Sequence, residues 1–325
     1  MNSSQATARA GSNIALVKYW GKRDPVLNLP AAGSLSITLE HLNTETTVRP
    51  DASLKADSLT LDGQPAETSR ISPLLDLLRE RAGGGPYLAV ESRNNFPTAA
   101  GLASSASAFA ALVTAADQVL GLKLTPSQRS EFARRGSGSA ARSIFGGFAE
   151  MAAGERADGS DCIAHPLAEP EHWPLKVLVA VTSRSAKPVS STDGMNQTMK
   201  TSPYYPAWVA GVAADLDEAR EAVLGKDFER LADVSEFSAL KMHASALAAR
   251  PVVIYWNAAT MACIHRVRAL RAAGHAVFFT VDAGPQLKAV CLPEAAEQVA
   301  RELATVDGVV EVMQSGLGPG ARLMP

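Results

Sequence analysis

Asn95-Phe96-Pro97-Thr98-Ala99-Ala100-Gly101-Leu102-Ala103-Ser104-Ser105-Ala106-Ser107 carries more information than any other stretch of this chain. A strand, Tyr87 to Glu91, runs into it through a loop from Asn94 to Gly101, and an alanine-rich helix leaves it to reach about Leu120. Small residues let a backbone come close to a ligand, and Gly101 permits an unusual φ. A helix start presents unpaired N–H groups and the positive end of the dipole, so a triphosphate suits such a turn. Ser104 or Ser105 can offer a hydroxyl to a phosphate or to a magnesium ion. A capped packing helix without ligand fits the composition about as well, because Gly and Ser enrichment also marks ordinary caps. The Walker ending Gly-Lys-Ser/Thr is absent, so the loop is not that of an ordinary P-loop NTPase.

Working outward, the first half reads as strands followed by helices. Asn13 to Val17, Ser34 to Leu39, Thr46 to Arg49 and Ser58 to Leu61 are predicted strands, the second by its alternation of Leu35, Ile37 and Leu39. Asp62-Gly63 is a turn. Ile71 to Arg81 and Pro126 to Arg135 have helical spacing, and Phe145 to Met151 returns as a strand. A loop rich in Asp, Gly and Pro, Gly154 to Pro174, precedes a fresh apolar strand, Leu175 to Val181, which places a domain boundary between 1–174 and 175–325. The second half carries three long helical patterns, Tyr205 to Val223, Phe228 to Ala249 and Ile254 to Ala273. Strands Ala276 to Val281 and Leu287 to Leu292, a helix Glu294 to Ala304 and a strand Gly308 to Met313 follow. Strands mixed with packed helices in two blocks predict an α+β fold of two domains.

Composition narrows the function. Of 325 residues, 46% are hydrophobic and 20% charged, as in a soluble globular protein. No stretch approaches the roughly 20 apolar residues of a membrane span. Residues 1–11 lack the basic and apolar regions of a secretory signal. A formal net charge of −2 gives no whole-surface attraction to nucleic acid or anionic membrane, so an anionic ligand must be held by a local cluster of cations and amides. Cys162, Cys263 and Cys291 are odd in number and far apart, which points to unpaired thiols in a reducing, cytoplasmic setting. The six histidines lack zinc-ligand spacing.

Pro97 to Ser107 resembles the phosphate loop of the GHMP kinases. Four further segments are similar to one branch of that superfamily, the diphosphomevalonate decarboxylases: Asn13-Ile14-Ala15-Leu16-Val17-Lys18-Tyr19-Trp20-Gly21-Lys22-Arg23-Asp24, Arg135-Gly136-Ser137-Gly138-Ser139-Ala140-Ala141-Arg142-Ser143, Ser190-Ser191-Thr192-Asp193-Gly194-Met195 and Thr280-Val281-Asp282-Ala283-Gly284-Pro285. Five long motifs in order, from residue 13 to residue 285, are far more specific than any one of them. There are two departures. Gln286 stands where the family usually has Asn, and Ala31-Ala32-Gly33-Ser34 replaces a run that usually contains Thr-Asn-Ser.

The resemblance implies a two-domain GHMP kinase fold: an N-terminal ribosomal-protein-S5-domain-2-like domain, a C-terminal ferredoxin-like α/β sandwich, and an active site in the cleft between them. It implies ATP and Mg2+ as cofactors, mevalonate 5-diphosphate as substrate, and a homodimer. Asp282 corresponds to the family's catalytic aspartate, with Lys18 as its partner, Arg142 as the arginine that meets a carboxylate or phosphate, and Asn13 holding that guanidinium. Tyr19, Trp20, Gly21, Lys22, Arg70, Ser137, Gly138, Ser139, Ala140, Ala141, Arg142 and Thr192 correspond to substrate-binding positions. Ala99, Ala100, Gly101, Leu102, Ala103, Ser104, Ser105 and Ser107 correspond to ATP-phosphate positions, with magnesium riding on the nucleotide near Ser104 or Ser105. Read without the family, Asp282 is also an ordinary turn-capping aspartate and Arg142 an ordinary ion-pairing arginine. Trp20 and Met195 read as packing residues, and Lys187 either reaches a phosphate or is simply solvated.

A kinase of the same fold that stops after phosphorylation is the first alternative; the combination of Lys18, Arg142 and Asp282 argues against it. A decarboxylase of the 5-monophosphate is a variant, and Tyr19, Lys22 and Arg70 lean to the diphosphate. A fold relative without catalysis would show decay of the phosphate loop or loss of Asp282, and neither is seen.

Overall fold

The computed structural model describes residues 5–96 and 104–325. Its elements in chain order are β1 (Ala6–Val17), β2 (Lys22–Asp24), β3 (Leu29–Pro30), β4 (Ser34–Pro50), β5 (Ser58–Leu61), β6 (Gln64–Ala66), α1 (Ser72–Arg81), β7 (Leu88–Asn94), α2 (Ser104–Leu120), α3 (Pro126–Gly136), α4 (Ala140–Ser143), β8 (Phe148–Met151) and β9 (Ala164–Ala168). There follow β10 (Lys176–Val181), α5 (Ser191–Thr201), α6 (Tyr205–Gly225), α7 (Phe228–Leu247), α8 (Ala258–Ala272), β11 (Val277–Val281), β12 (Leu287–Cys291), α9 (Ala296–Ala304), β13 (Glu311–Gly316) and β14 (Arg322–Leu323).

Among the described residues the strands form an eight-stranded mixed sheet, β14-β1-β4-β7-β5-β6 with β8 beside β4 and β9 beside β8, a four-stranded antiparallel sheet, β11-β12-β10-β13, and a small β2-β3 ribbon. The two sheets and their helices make the two-domain α+β arrangement that the sequence predicts. The last strand, β14, pairs with β1 and so returns the chain's end to the first sheet.

β4 corrects the prediction of two separate strands. The polar residues Glu40 and His41 look like a break, yet one strand runs from Ser34 to Pro50 because the irregularity is absorbed where its pairing with β1 shifts between Gly11 and Asn13. A Cβ on Gly11 would lie 2.3 Å from the carbonyl oxygen of Leu39, so only glycine fits that shift. Other boundaries also move. β1 extends back to Ala6, β8 begins at Phe148, and the 154–174 segment contains β9. The third long helix starts at Ala258 rather than Ile254, because Asn257 and Thr260 close a capping box there. α5 is an unpredicted helix, opened by Ser190, whose Oγ accepts from the N–H of Asp193 at 3.0 Å.

Three large packed clusters and a small fourth one hold these layers among the described residues. α2 lies on β1 and β4 through Ala110, Ala111, Ala115 and Ala116, whose small side chains allow close approach, and joins Leu74, Leu75 and Leu78 of α1. Leu178, Val267, Phe279, Leu287, Val299 and Leu303 fill the second domain. The largest cluster crosses between the domains: Ile14, Leu16, Leu35, Ile37, Phe148 and Trp173 meet Val177, Trp208, Val212, Leu231 and Phe278. Each such side chain stabilises by about 1.5–3 kcal/mol when fully buried, so this shared core outweighs any polar contact in setting the domains against each other.

Candidate active site

The site grows from the ends of two strands. β1 carries Asn13 and ends at Val17 so that Lys18 is the first residue beyond it, and β11 ends at Val281 so that Asp282 is the first residue beyond it. The turn that carries Asp282 is pinned on several sides. Gly284 N–H donates to Asp282 O at 2.7 Å, and the hydroxyls of Thr260 and Thr182 donate to Pro285 O at 2.6 and 3.0 Å. Gln286, at the first family departure, is fully buried. Its Oε1 accepts from Thr182 N–H at 2.6 Å and its Nε2 donates to Ser183 O at 2.5 Å, so the longer amide still stitches the turn to β10's end.

Lys18 Nζ donates to Asp282 Oδ1 at 2.6 Å and to Ala15 O at 2.8 Å, while its backbone N–H donates to Ser238 Oγ of α7 at 3.0 Å. Lys288, on β12, approaches the other oxygen, with Nζ 3.1 Å from Oδ2. Both lysines are buried, at 2% and 1% side-chain exposure, whereas Asp282 keeps 21%. Burial would push the Asp282 carboxyl up, but the ammonium groups of Lys18 and then Lys288 outweigh it and hold the group far below the usual carboxylate range. Burial pulls Lys18 down to about 8, against the raising influence of Asp282. His243 of α7 shares a hydrogen bond of 3.1 Å between Nε2 and Val281 O, and burial, reinforced by the Lys18 charge, takes it down to about 3, so it is neutral.

Arg142 is 1% exposed and enclosed by short side chains. Its Nε donates to Ser36 Oγ at 2.8 Å, Nη1 donates to Ser34 Oγ, and Nη2 donates to Asn13 Oδ1 at 3.2 Å. The Asn13 amide is fixed in turn, since its Nδ2 donates to Ser143 Oγ at 2.8 Å and to Ser139 O at 2.9 Å. Among the described residues no carboxylate pairs directly with this guanidinium; burial lowers it to about 10. A buried cation held only by neutral acceptors is suited to an anion supplied from outside. Ser34 belongs to the second family departure. Gly33 of the same run packs under α6, where a Cβ would lie 2.7 Å from Leu216 Cδ1.

These groups open on one cavity of about 700 Å³. Of the predicted site residues, Asn13, Lys18, Tyr19, Trp20, Lys22, Arg70, Ser104, Ser105, Ser137, Gly138, Ser139, Arg142, Thr192 and Asp282 line it. Lys22 and Arg70 turn like charges on the same space: burial and then Arg70 lower Lys22. Tyr19 Oη is buried without a hydrogen-bond partner among the described residues, pressed against Gly138, and burial raises its ionisation, so it remains a neutral donor. A chain of hydroxyls, Ser105 to Ser137 at 3.2 Å and Ser137 to Ser139 at 3.4 Å, links the start of α2 to the turn before α4.

Four predicted residues do not line the cavity. Ala140 and Ala141 point into packed clusters, Ala140 with α2 and Ala141 with Met151 and Ala164. Ser107 is buried with its hydroxyl engaged by Thr44 Oγ1 at 2.6 Å, tying α2 to β4. Gly21 takes φ +86°, and a Cβ there would run into the ring of Tyr205, so it shapes the chain after Trp20. Ala99, Ala100, Gly101, Leu102 and Ala103 lie outside the described residues. Trp20 and Met195 are buried and line the cavity as well. Lys187 lines it too and is not simply solvated: Nζ donates to Ser191 Oγ at 2.6 Å and to Ala283 O at 2.8 Å, and burial lowers it to about 8.

Lys288, Ser34, Ser36 and His243 escaped the sequence reading. Lys288 had a signal, a single lysine inside the apolar run Leu287–Cys291. Ser36 alternates with Leu35 and Ile37 on β4 and so looks like the solvent side of a half-buried strand, when that side in fact faces Arg142.

A two-domain α+β chain that holds one acid and several cations around a single cleft has the architecture of an enzyme for anionic substrates. Residues 10–164 match the model of the diphosphomevalonate decarboxylase-like N-terminal domain, and residues 177–315 match that of the mevalonate 5-diphosphate decarboxylase C-terminal domain. The chain is 39% identical to diphosphomevalonate decarboxylase mvd1 of Aspergillus fumigatus, over 94% of this chain and 81% of that one. It superposes with a TM-score of 0.91 on a protein designated MDDEF in complex with MVAPP, AMPPCP and magnesium, at 39% identity and 98% coverage of both chains. For mevalonate diphosphate decarboxylase from Staphylococcus aureus the TM-score is 0.92, with 38% identity over 99% of this chain and 98% of that one. The chain belongs to the diphosphomevalonate decarboxylase family.

Proposed function

We infer that this chain catalyses the decarboxylation of mevalonate 5-diphosphate with ATP and Mg2+, yielding isopentenyl diphosphate, ADP, phosphate and carbon dioxide in the mevalonate pathway of isoprenoid biosynthesis. The observation that carries the site assignment is the Asp282 carboxylate shared by Lys18 and Lys288, opening on the same cavity as Arg142 and the serines at the start of α2.

In this reading the C3 hydroxyl of the substrate donates to Asp282 and receives the terminal phosphoryl group of ATP. A carboxylate held so far below its usual range is a weak base, which suits a loose phosphoryl-transfer transition state in which the attacking oxygen keeps its proton until late. Lys18 neutralises charge at that oxygen. The phosphate then departs from C3 while the C1–C2 bond breaks; its electron pair becomes the C2–C3 double bond and C1 leaves as carbon dioxide. Arg142, positioned by Asn13, Ser34 and Ser36, directs the substrate carboxylate or the departing phosphate. Tyr19, Lys22, Arg70, Ser137, Gly138, Ser139 and Thr192 receive the 5-diphosphate, and the orphan Tyr19 hydroxyl and the facing Lys22 and Arg70 cations support that placement. Bound magnesium supplies charge neutralisation among the phosphates. The hydroxyls of Ser104 and Ser105 fit it as donors, and among the described residues no three His, Cys, Asp or Glu side chains gather that could hold a metal.

The domain division at 174/175, the homodimer and the cytoplasmic setting belong to the same reading. Phe237, Leu240 and Leu247, exposed along one side of α7, offer an apolar surface for a second copy, and light scattering on the purified protein tests it. Three buried unpaired thiols suit a reducing compartment. No helix among the described residues is long and apolar enough to cross a membrane, and the near-neutral net charge gives nucleic acid no general purchase.

The deciding assay is carbon dioxide release from mevalonate 5-diphosphate with ATP and magnesium. ADP without carbon dioxide would make the chain a kinase, and faster turnover of the 5-monophosphate would reassign the substrate.

A further inference from the structure

Lys288 has no place in the reaction described so far. It lies on β12 opposite Thr280 of β11, is 1% exposed, does not line the cavity, and reaches the Asp282 oxygen that Lys18 leaves. Five ionisable groups act on that carboxylate: Lys18 at the end of β1, Arg142 from α4, Lys187 ahead of α5, the neutral His243 from α7, and Lys288 itself. Lys18 lines the cavity, so the anionic substrate competes with Asp282 for its ammonium. A carboxylate with one counter-ion would be left uncompensated at the moment its hydroxyl arrives. Lys288 does not line the cavity and meets Asp282 from the neighbouring strand β12.

We propose that Lys288 is a positioning residue: it keeps Asp282 ionised and fixes its orientation while Lys18 turns its charge to the substrate. The proposal rests on Asp282 acting at the C3 hydroxyl. Burial alone would push the Asp282 carboxyl up, and Lys288 is the second largest influence after Lys18 in reversing that.

Lys288→Met keeps the side-chain length and removes the charge; Lys288→Gln is the more polar substitute. For a variant with the circular dichroism of the parent enzyme, kcat falls on the order of tenfold near neutral pH, as expected when a preorganised charge is lost, while KM for ATP is unchanged. Removing a cation raises the carboxylate's pKa, so an acid limb enters the measurable range and activity recovers as pH rises. A parent-like kcat and pH profile, or a loss equal at every pH, overturns the proposal. Asp282→Asn separates the two claims. If that variant stays active, the Asp282 assignment fails; if it is inactive while Lys288→Met is normal, only the Lys288 proposal fails. Should both Lys288 variants misfold, carboxyl-13C NMR of aspartate-labelled enzyme, with the signal identified by its absence in Asp282→Asn, decides the matter. Asp282 stays ionised in the acid range with mevalonate 5-diphosphate bound, and titration in the ordinary carboxylate range overturns the role given to Lys288.

Discussion

Replacing Asp282 by Asn changes one atom, keeps the side chain's shape, and removes the negative charge that two buried ammonium groups share. Two consequences follow. The acceptor of the C3 hydroxyl proton is lost, which costs at least about a hundredfold in kcat, or about 2.7 kcal/mol of transition-state free energy. Lys18 also loses the influence that raises it: burial already brings it to about 8 with Asp282 in place, and without the carboxylate it falls further and discharges near neutral pH. Discharge of Lys18 relieves one of the two buried charges while the site loses both members of the pair, and a melting curve checks that the variant stays folded. The assay measures carbon dioxide from substrate labelled at the carboxylate, with ATP and magnesium, alongside calorimetric titration of ATP. Turnover disappears and ATP binding stays near the parent value, because the helix-start serines are untouched. A variant that retains about a third of the parent rate removes Asp282 from the mechanism, since so small a loss is far below what a proton acceptor contributes.

Arg142→Lys lowers kcat by a factor of about a hundred or more, because a single ammonium cannot reach Ser34, Ser36 and Asn13 and still present a planar fork; steady-state kinetics with a melting curve separates this from unfolding. On the alkaline side kcat/KM falls through a pH of about 8 as Lys18 loses its proton, whereas the depressed Asp282 contributes no acid limb near neutrality. The stability contribution of Lys18 has the opposite direction. Its folded pKa lies below the ordinary lysine value of 10.5, so the unfolded chain binds more protons between about 8 and that value, and this group's share of stability rises with pH there; chemical unfolding from pH 7 to 10 checks it. Gly138→Ala places a Cβ 2.3 Å from Tyr19 Oη, displaces the ring and raises KM for mevalonate 5-diphosphate on the order of tenfold; an unchanged KM argues that Tyr19 does not contact the substrate.

The five motifs already hold the acid, the first lysine, the arginine and its asparagine, because each is tied to local neighbours that can be read in order along the chain. Helix positions were also legible where periodicity and caps agreed, as in α3, whose Thr125 and Gln128 close a capping box. What escaped depended on the far side of a contact. The 135–143 segment puts its last four residues on α4, and only packing on Met151, Ala164 and α2 turns Ala140 and Ala141 inward while Arg142 faces the cleft. The joint strand β4 looked like two, because a bulge opposite Gly11 cannot be seen from β4's own residues.

By itself the sequence determined which side chains are present to do chemistry, their order, and the alternating or helical faces on which each must lie; these are properties of covalent spacing. Only the tertiary structure decided that Lys18 meets Asp282 across 264 residues, that Lys288 occupies the carboxylate's other oxygen, and that two serines of β4 rather than an acid hold Arg142. The Lys18–Asp282 contact arises from the docking of two sheets through one shared apolar core, the Lys288 contact from the pairing of β11 with β12, and the Arg142 contacts from α4 packing on β4; non-directional burial leaves no mark on local spacing.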